Sequence, residues 1–231
     1  MAGVTYSLIF KNFSSNQGSG CVYQDDPNIA NAKVMSLAWF SKIAAPQTTI
    51  TFSWTIDYSF VWAETGQLIP GVMFMAGQTP KADLSTTNSI TLSYLGGAYQ
   101  FQNQGPGASA GNLYIREDAT VPLKQASVGI GMSGAGTFVV QAQPNFNLIF
   151  TPHPKYYITF GTFTAGQVLD ITSITDKAEI AFPPGVTSMT AILNQDNTWT
   201  VQPTSSVNAR FVEAQSQSRS VNPTQSWGQL V

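Results

Sequence analysis

The chain has 231 residues, 43% hydrophobic and 12% aromatic but only 10% charged, which suits a globular fold and excludes a disordered one. Ten Lys and Arg against twelve Asp and Glu leave a net charge of -2, too balanced to grip nucleic acid or an anionic membrane surface. No window approaches the roughly 18 uncharged apolar residues of a membrane-spanning helix, so neither a membrane nor a nucleic-acid partner is expected.

Met1 to Phe10 lacks the basic stretch and apolar run of a secretory signal, and the expected location is the cytosol. Cys21 is the one cysteine, which excludes an intrachain disulfide and a thiolate zinc cluster and reads as a small buried side chain. Val4–Phe10, Cys21–Gln24 and Val34–Ile43 open the chain as short apolar strands. From Thr49 to Phe60 the residues Ile50, Phe52, Trp54, Ile56, Tyr58 and Phe60 alternate with polar ones, predicting one strand with a buried face shared by two layers.

Further strands are predicted at Val72–Ala76, Ser89–Leu95, Tyr99–Gln102, Leu113–Arg116, Ser127–Ile130, Thr137–Gln141, Asn147–Phe150 and Tyr156–Phe163. Val168–Ile174, Ala178–Phe182, Ser188–Leu193 and Thr198–Gln202 complete the set. Gly96-Gly97 and Asn194–Asn197 predict hairpins, the paired glycines supplying the positive φ of a two-residue turn. Gln102–Gly111, punctuated by Gly and Pro, reads as a mobile surface loop that nothing large anchors. Thr65-Gly66-Gln67 and Ala165-Gly166-Gln167 resemble each other, too little to define a repeat.

The expected fold is all-β: a largely antiparallel β-sandwich over residues 1–202 with a polar C-terminal tail at 203–231. Such a tail frays unless held, and Phe211 and Trp227 are its candidate anchors, on the body or on a neighbouring subunit.

Chemical motifs are sparse. His153, the one histidine, lies between Pro152 and Pro154 and reads as a turn residue. Ser133 in Gly-Met-Ser-Gly-Ala falls short of a nucleophile elbow, and His153 before Asp170 is the wrong triad order for that fold. Gly129, Gly131 and Gly134 match a dinucleotide fingerprint, but strand-forming residues follow them and no acid stands between Asp118 and Asp170, so close backbone packing is the better reading. Asp57 or Glu64 with Glu117 or Asp118 are the carboxylates available for glycoside hydrolysis, and turn roles explain them equally well. Asp25, Asp26, Asn194, Asp196 and Asn197 could offer oxygens to calcium or simply build turns. Asn12-Phe13-Ser14 matches a glycosylation acceptor that only an exported chain would use. Trp39 and Trp54 read as core. Trp62, Trp199 and Trp227 are the candidate platforms for a sugar ring, and with Phe211 the candidate ligand or interface residues.

The segments Tyr6–Asn12 (YSLIFKN), Cys21–Gln24 (CVYQ), Met35–Phe40 (MSLAWF), Thr51–Gly66 (TFSWTIDYSFVWAETG) and Ala126–Phe138 (ASVGIGMSGAGTF) resemble the rhizosphere-expressed RhiA protein family. The resemblance covers roughly residues 5–200. It implies a non-secreted bacterial protein, abundant under quorum-sensing control in rhizobia and linked to the plant interaction. It implies no reaction, and no catalytic residue carries over.

The expected function is therefore a non-catalytic binding or assembly protein without cofactor or metal, self-associating as a homo-oligomer because low charge and abundant strand edges favour it. The alternative is a lectin-like module for carbohydrate. A hydrolase is the third class.

Overall fold

The structure is a computed structural model that describes residues 4–25 and 34–210. The first strands are β1 (Thr5–Asn12), β2 (Gly18–Asp25), β3 (Met35–Ser36), β4 (Phe40–Ala44), β5 (Thr48–Thr55) and β6 (Tyr58–Ala63). Next come β7 (Lys81–Ala82), β8 (Ser89–Leu95), β9 (Ala98–Gly105), β10 (Leu113–Glu117), β11 (Ser127–Met132), β12 (Ala135–Gln141) and β13 (Phe146–Phe150). The last are β14 (Lys155–Gly161), β15 (Lys177–Glu179), β16 (Ser188–Leu193) and β17 (Trp199–Pro203), followed by a short helix at 204–210. Among the described residues no helix is long and apolar enough to cross a membrane.

The all-β expectation holds, but the strands form four sheets: β17-β16-β1-β5, β15-β14-β2-β4, β13-β10-β8-β9 and β3-β12-β11-β6-β7. Neighbours are antiparallel except β1 with β16 and β8 with β10. The first two sheets enclose one core, with Leu8, Phe10, Val22, Trp39, Phe52 and Trp54. The other two enclose a second, with Phe60, Leu92, Leu113, Ile115, Val128 and Phe138. There are thus two sandwiches where the periodicity predicted one shared interior.

Residues 49–60 are the clearest correction. They are not one strand: β5 closes the edge of one sheet, β6 lies inside another, and Ile56 between them is 47% exposed. Asp57 makes the break, its Oδ1 accepting from Thr55 Oγ1 at 2.8 Å and from the Ser133 amide at 3.0 Å. The two-residue link preserves the alternation, so the period of two runs through it unbroken.

The two sandwiches repeat one topology. Read from β14 through β17 and on to β1, β2, β4 and β5, the first has eight strands that match β6 to β13 one for one. Every pairing matches too, including the single parallel pair in each, β16 with β1 and β8 with β10. The second sandwich is a circularly permuted copy inserted into the first, and β3 is added to its edge.

Val72–Ala76 and Val168–Ile174 are not strands. Each follows the equivalent strand of its sandwich, β6 or β14, and covers the outer face of that sheet, Phe74 packing with Val61 and Val139, Leu169 with Cys21 and Tyr23. Their backbones bond to each other, Val168 N to Val72 O at 2.8 Å and Phe74 N to Gly166 O at 2.9 Å.

Both predicted hairpins form, β8 to β9 with Gly96 and Gly97 at φ 62° and 85°, and β16 to β17. The loop after β9 does have an anchor: buried Asn88 donates to Ser109 O and Asn112 O at 2.8 Å and accepts from Gly107 N at 2.7 Å. The predicted tail begins inside β17, and Thr204 Oγ1 bonds to Ser188 Oγ at 2.9 Å and Thr190 Oγ1 at 3.0 Å. Phe211 and Trp227 lie outside the described residues.

Candidate functional site

The two copies differ where β9 leaves β8. Ser89 pairs with Gly105 and Thr91 with Gln102, so Asn103 and Gln104 together oppose Ile90. This is a β-bulge, with Asn103 left-handed at φ 51°. The matching β16–β17 pair keeps one register from Leu193–Trp199 to Met189–Pro203. A bulge re-aims side chains, and here it opens a cleft of about 390 Å³ between β9 and the segment before β7.

Four side-chain amides, Gln78, Gln102, Asn103 and Gln104, line the cleft with Phe101 and Ile90, and among the described residues no charged one does. Gln78 is held from behind: its Oε1 accepts from Trp62 Nε1 at 2.8 Å and from the Phe101 amide at 2.9 Å. That fixes the amide orientation and turns its Nε2 outward. Gln104 Nε2 donates to Lys81 O at 2.6 Å, which leaves its Oε1 as an acceptor. The lining holds no acid, base or thiol; its chemistry is that of paired donors and acceptors around a half-buried phenyl ring.

In the first sandwich Asp176 takes the place of Gln78, opposite Phe160 as Gln78 is opposite Trp62. Its Oδ1 accepts from Trp199 Nε1 at 2.6 Å, and Trp199 packs on Phe10 at 5.6 Å between ring centroids.

Residues 3–204 match the RhiA family, a span that takes in both sandwiches. The chain belongs to the RhiA family. It is 41% identical over 211 residues to Protein RhiA of Rhizobium leguminosarum bv. viciae, with 87% of each chain covered. No solved structure matches it.

In this chain the predicted platforms are placed otherwise. Trp62 is buried and Trp199 half-buried, and each donates its indole N–H to a polar side chain. Trp227 is outside the described residues. What sequence reasoning missed are Gln78, Gln102, Asn103 and Gln104. The run Gln-Phe-Gln-Asn-Gln at 100–104 was the available signal, but only the structure shows that three of its amides line one cleft with Gln78.

The remaining candidates are structural. Ser133, left-handed at φ 53°, accepts the Thr55 amide on its Oγ and donates its own amide to Asp57. His153 is exposed and bonds to Pro152 O. Asp118 and Asp170 cap turns: despite some desolvation, hydrogen bonds from Ser93 and Thr120 hold the Asp118 carboxyl below its ordinary range, and those from Ser173 and Thr172 do the same for Asp170. Asn194 and Asp196 bond Thr198 within their hairpin. Among the described residues no three His, Cys, Asp or Glu are grouped to hold a metal ion; Asp25 ends β2, and Asp26 lies outside those residues. Burial pushes the Cys21 thiol up to about 12. Asn12 is fully buried, its Nδ2 donating to Asn16 O and Ala44 O, which closes it to glycosylation in the fold.

Proposed function

We propose that this RhiA-family protein is a non-catalytic binding protein that holds a neutral, hydroxyl-rich ligand, a saccharide, in the cleft beside the β9 bulge. The carrying observation is a charge-free lining in which four amides converge near one aromatic ring. A sugar hydroxyl both donates and accepts, and a side-chain amide offers both partners at fixed spacing. This keeps the lectin-like reading but moves it off the tryptophans. The family resemblance supports an intracellular bacterial setting under quorum-sensing control.

Calorimetry against a panel of neutral oligosaccharides tests the proposal. A saccharide should bind the wild type, and Gln78→Ala and Gln102→Ala should each weaken it about fivefold to tenfold, as for one lost hydrogen bond. No binding across the panel, or binding indifferent to both substitutions, rejects it.

Self-association is the second reading, supported by exposed Ile69, Met73 and Met75 on one face-covering segment and by the outer edges of β5 and β13, which pair with no described strand. Sedimentation should then show a concentration-dependent oligomer that Met75→Asp dissociates. A monomer at every concentration ends that reading.

A further inference from the structure

The first sandwich carries a cleft of its own, independent of the amide site and built from different chemistry. It opens where the chain enters β14, with a volume of about 350 Å³. Tyr6, Tyr156 and Phe182 wall it. Phe182 stands edge-on to both tyrosines, 4.9 Å from Tyr6 at 75° and 6.1 Å from Tyr156 at 89° between ring planes. Trp54 backs all three, with centroids 6.5, 5.2 and 5.8 Å from Tyr6, Tyr156 and Phe182. Rings set at right angles around a gap offer both faces and edges, the arrangement that another aromatic ring completes.

The rim is charged with both signs. Lys155 and Glu179, both exposed, line the mouth from neighbouring strands β14 and β15, and Asp25 stands opposite Lys155 on β2. In the second sandwich the place of Phe182 is taken by Leu84, so the ring-lined gap belongs to one copy alone.

We propose that this cleft binds an aromatic amino acid, its ring among Tyr6, Tyr156 and Phe182, its carboxylate met by Lys155 and its ammonium by Glu179. The rim sets one cation, Lys155, beside the acid Glu179, with Asp25 across the strand pair from Lys155. A zwitterion places one of each beside its ring.

Isoleucine methyl NMR on the full chain reads both clefts at once, because Ile56 and Ile180 line this one and Ile90 lines the amide cleft. With L-phenylalanine the Ile56 and Ile180 signals should shift while Ile90 stays still. 3-Phenylpropionate and 2-phenylethylamine, each lacking one charge, should bind about fivefold more weakly, as expected for a partly exposed ion pair. Glu179→Gln should abolish the preference for phenylalanine over 3-phenylpropionate, and Lys155→Met the preference over 2-phenylethylamine. Still Ile56 and Ile180 signals up to about 10 mM ligand, movement of Ile90 alone, or equal affinity for the three compounds would each overturn the proposal. A saccharide that moves Ile90 in the same spectra reports on the other cleft, so the two sites fail or stand separately.

Discussion

The last inward residue of β1 is Asn12 and that of β10 is Glu117; each lies at the same corner of its sandwich, and both are fully buried. Asn12 is satisfied: its Nδ2 donates to Asn16 O and Ala44 O, and its Oδ1 accepts from the Ser14 amide and hydroxyl. Glu117 completes no hydrogen bond with either carboxyl oxygen among the described residues, and burial pushes it up to about 8, the nearby Gln143 amide offsetting only part of that. One topology thus tolerates a tied amide in one copy and an untied acid in the other. Such costs fall in both copies: among the described residues the first sandwich leaves the buried Tyr23 Oη and Gln24 Nε2 without a hydrogen bond.

Exchanging residues between the copies should break the comparison most sharply on β2 and β11, where Cys21 and Gly129 hold matching places. A Cβ on Gly129 would lie 1.9 Å from Phe138 O, so Gly129→Cys should cost about 3 kcal/mol or more, whereas Cys21→Gly loses only one small side chain and about 1–2 kcal/mol. Urea midpoints of the two variants measure the difference, and equal midpoints would dissolve the asymmetry.

Asn12→Ala should cost about 2–3 kcal/mol in the same assay by stranding the groups it ties. Glu117→Gln should do the reverse. Its carboxyl keeps a proton in the fold up to about 8, while the unfolded chain ionises it near 4.5, so the folded state holds the extra proton between those values. Its contribution is fully present below about 4.5 and falls by about 1.4 kcal/mol per pH unit until about 8, then stays flat. Glu117→Gln should remove that slope, gaining about 3 kcal/mol over the wild type at pH 7 and nothing at pH 4. Parallel slopes in denaturant melts across that range would contradict the reading.

Trp62→Phe, which installs the Phe160 of the matching strand, should have the smallest effect. It leaves Gln78 with one donor and costs about 1 kcal/mol in stability, together with a several-fold loss of saccharide affinity. Unchanged affinity would show that the indole does not orient the cleft.

Much of this was legible locally. Ser89–Leu95 and Ser188–Leu193 are strands at the residues their pattern marks, both hairpins form, and Trp39 and Trp54 are core. The segments at 72–76 and 168–174 misled because an apolar run that covers a sheet looks the same as one that joins it. The cleft was hidden for a related reason: a bulge adds one residue to a strand, and no side-chain pattern distinguishes that residue from its neighbours.

Residue types and their alternation determined an all-β protein and where its turns fall, since φ preferences and the pleat act over a few residues. Which strands became neighbours was decided only in three dimensions. Register and sheet membership depend on partners more than 100 residues apart, such as Leu8 beside Met189, and those pairings alone created two permuted sandwiches and placed a different cleft in each.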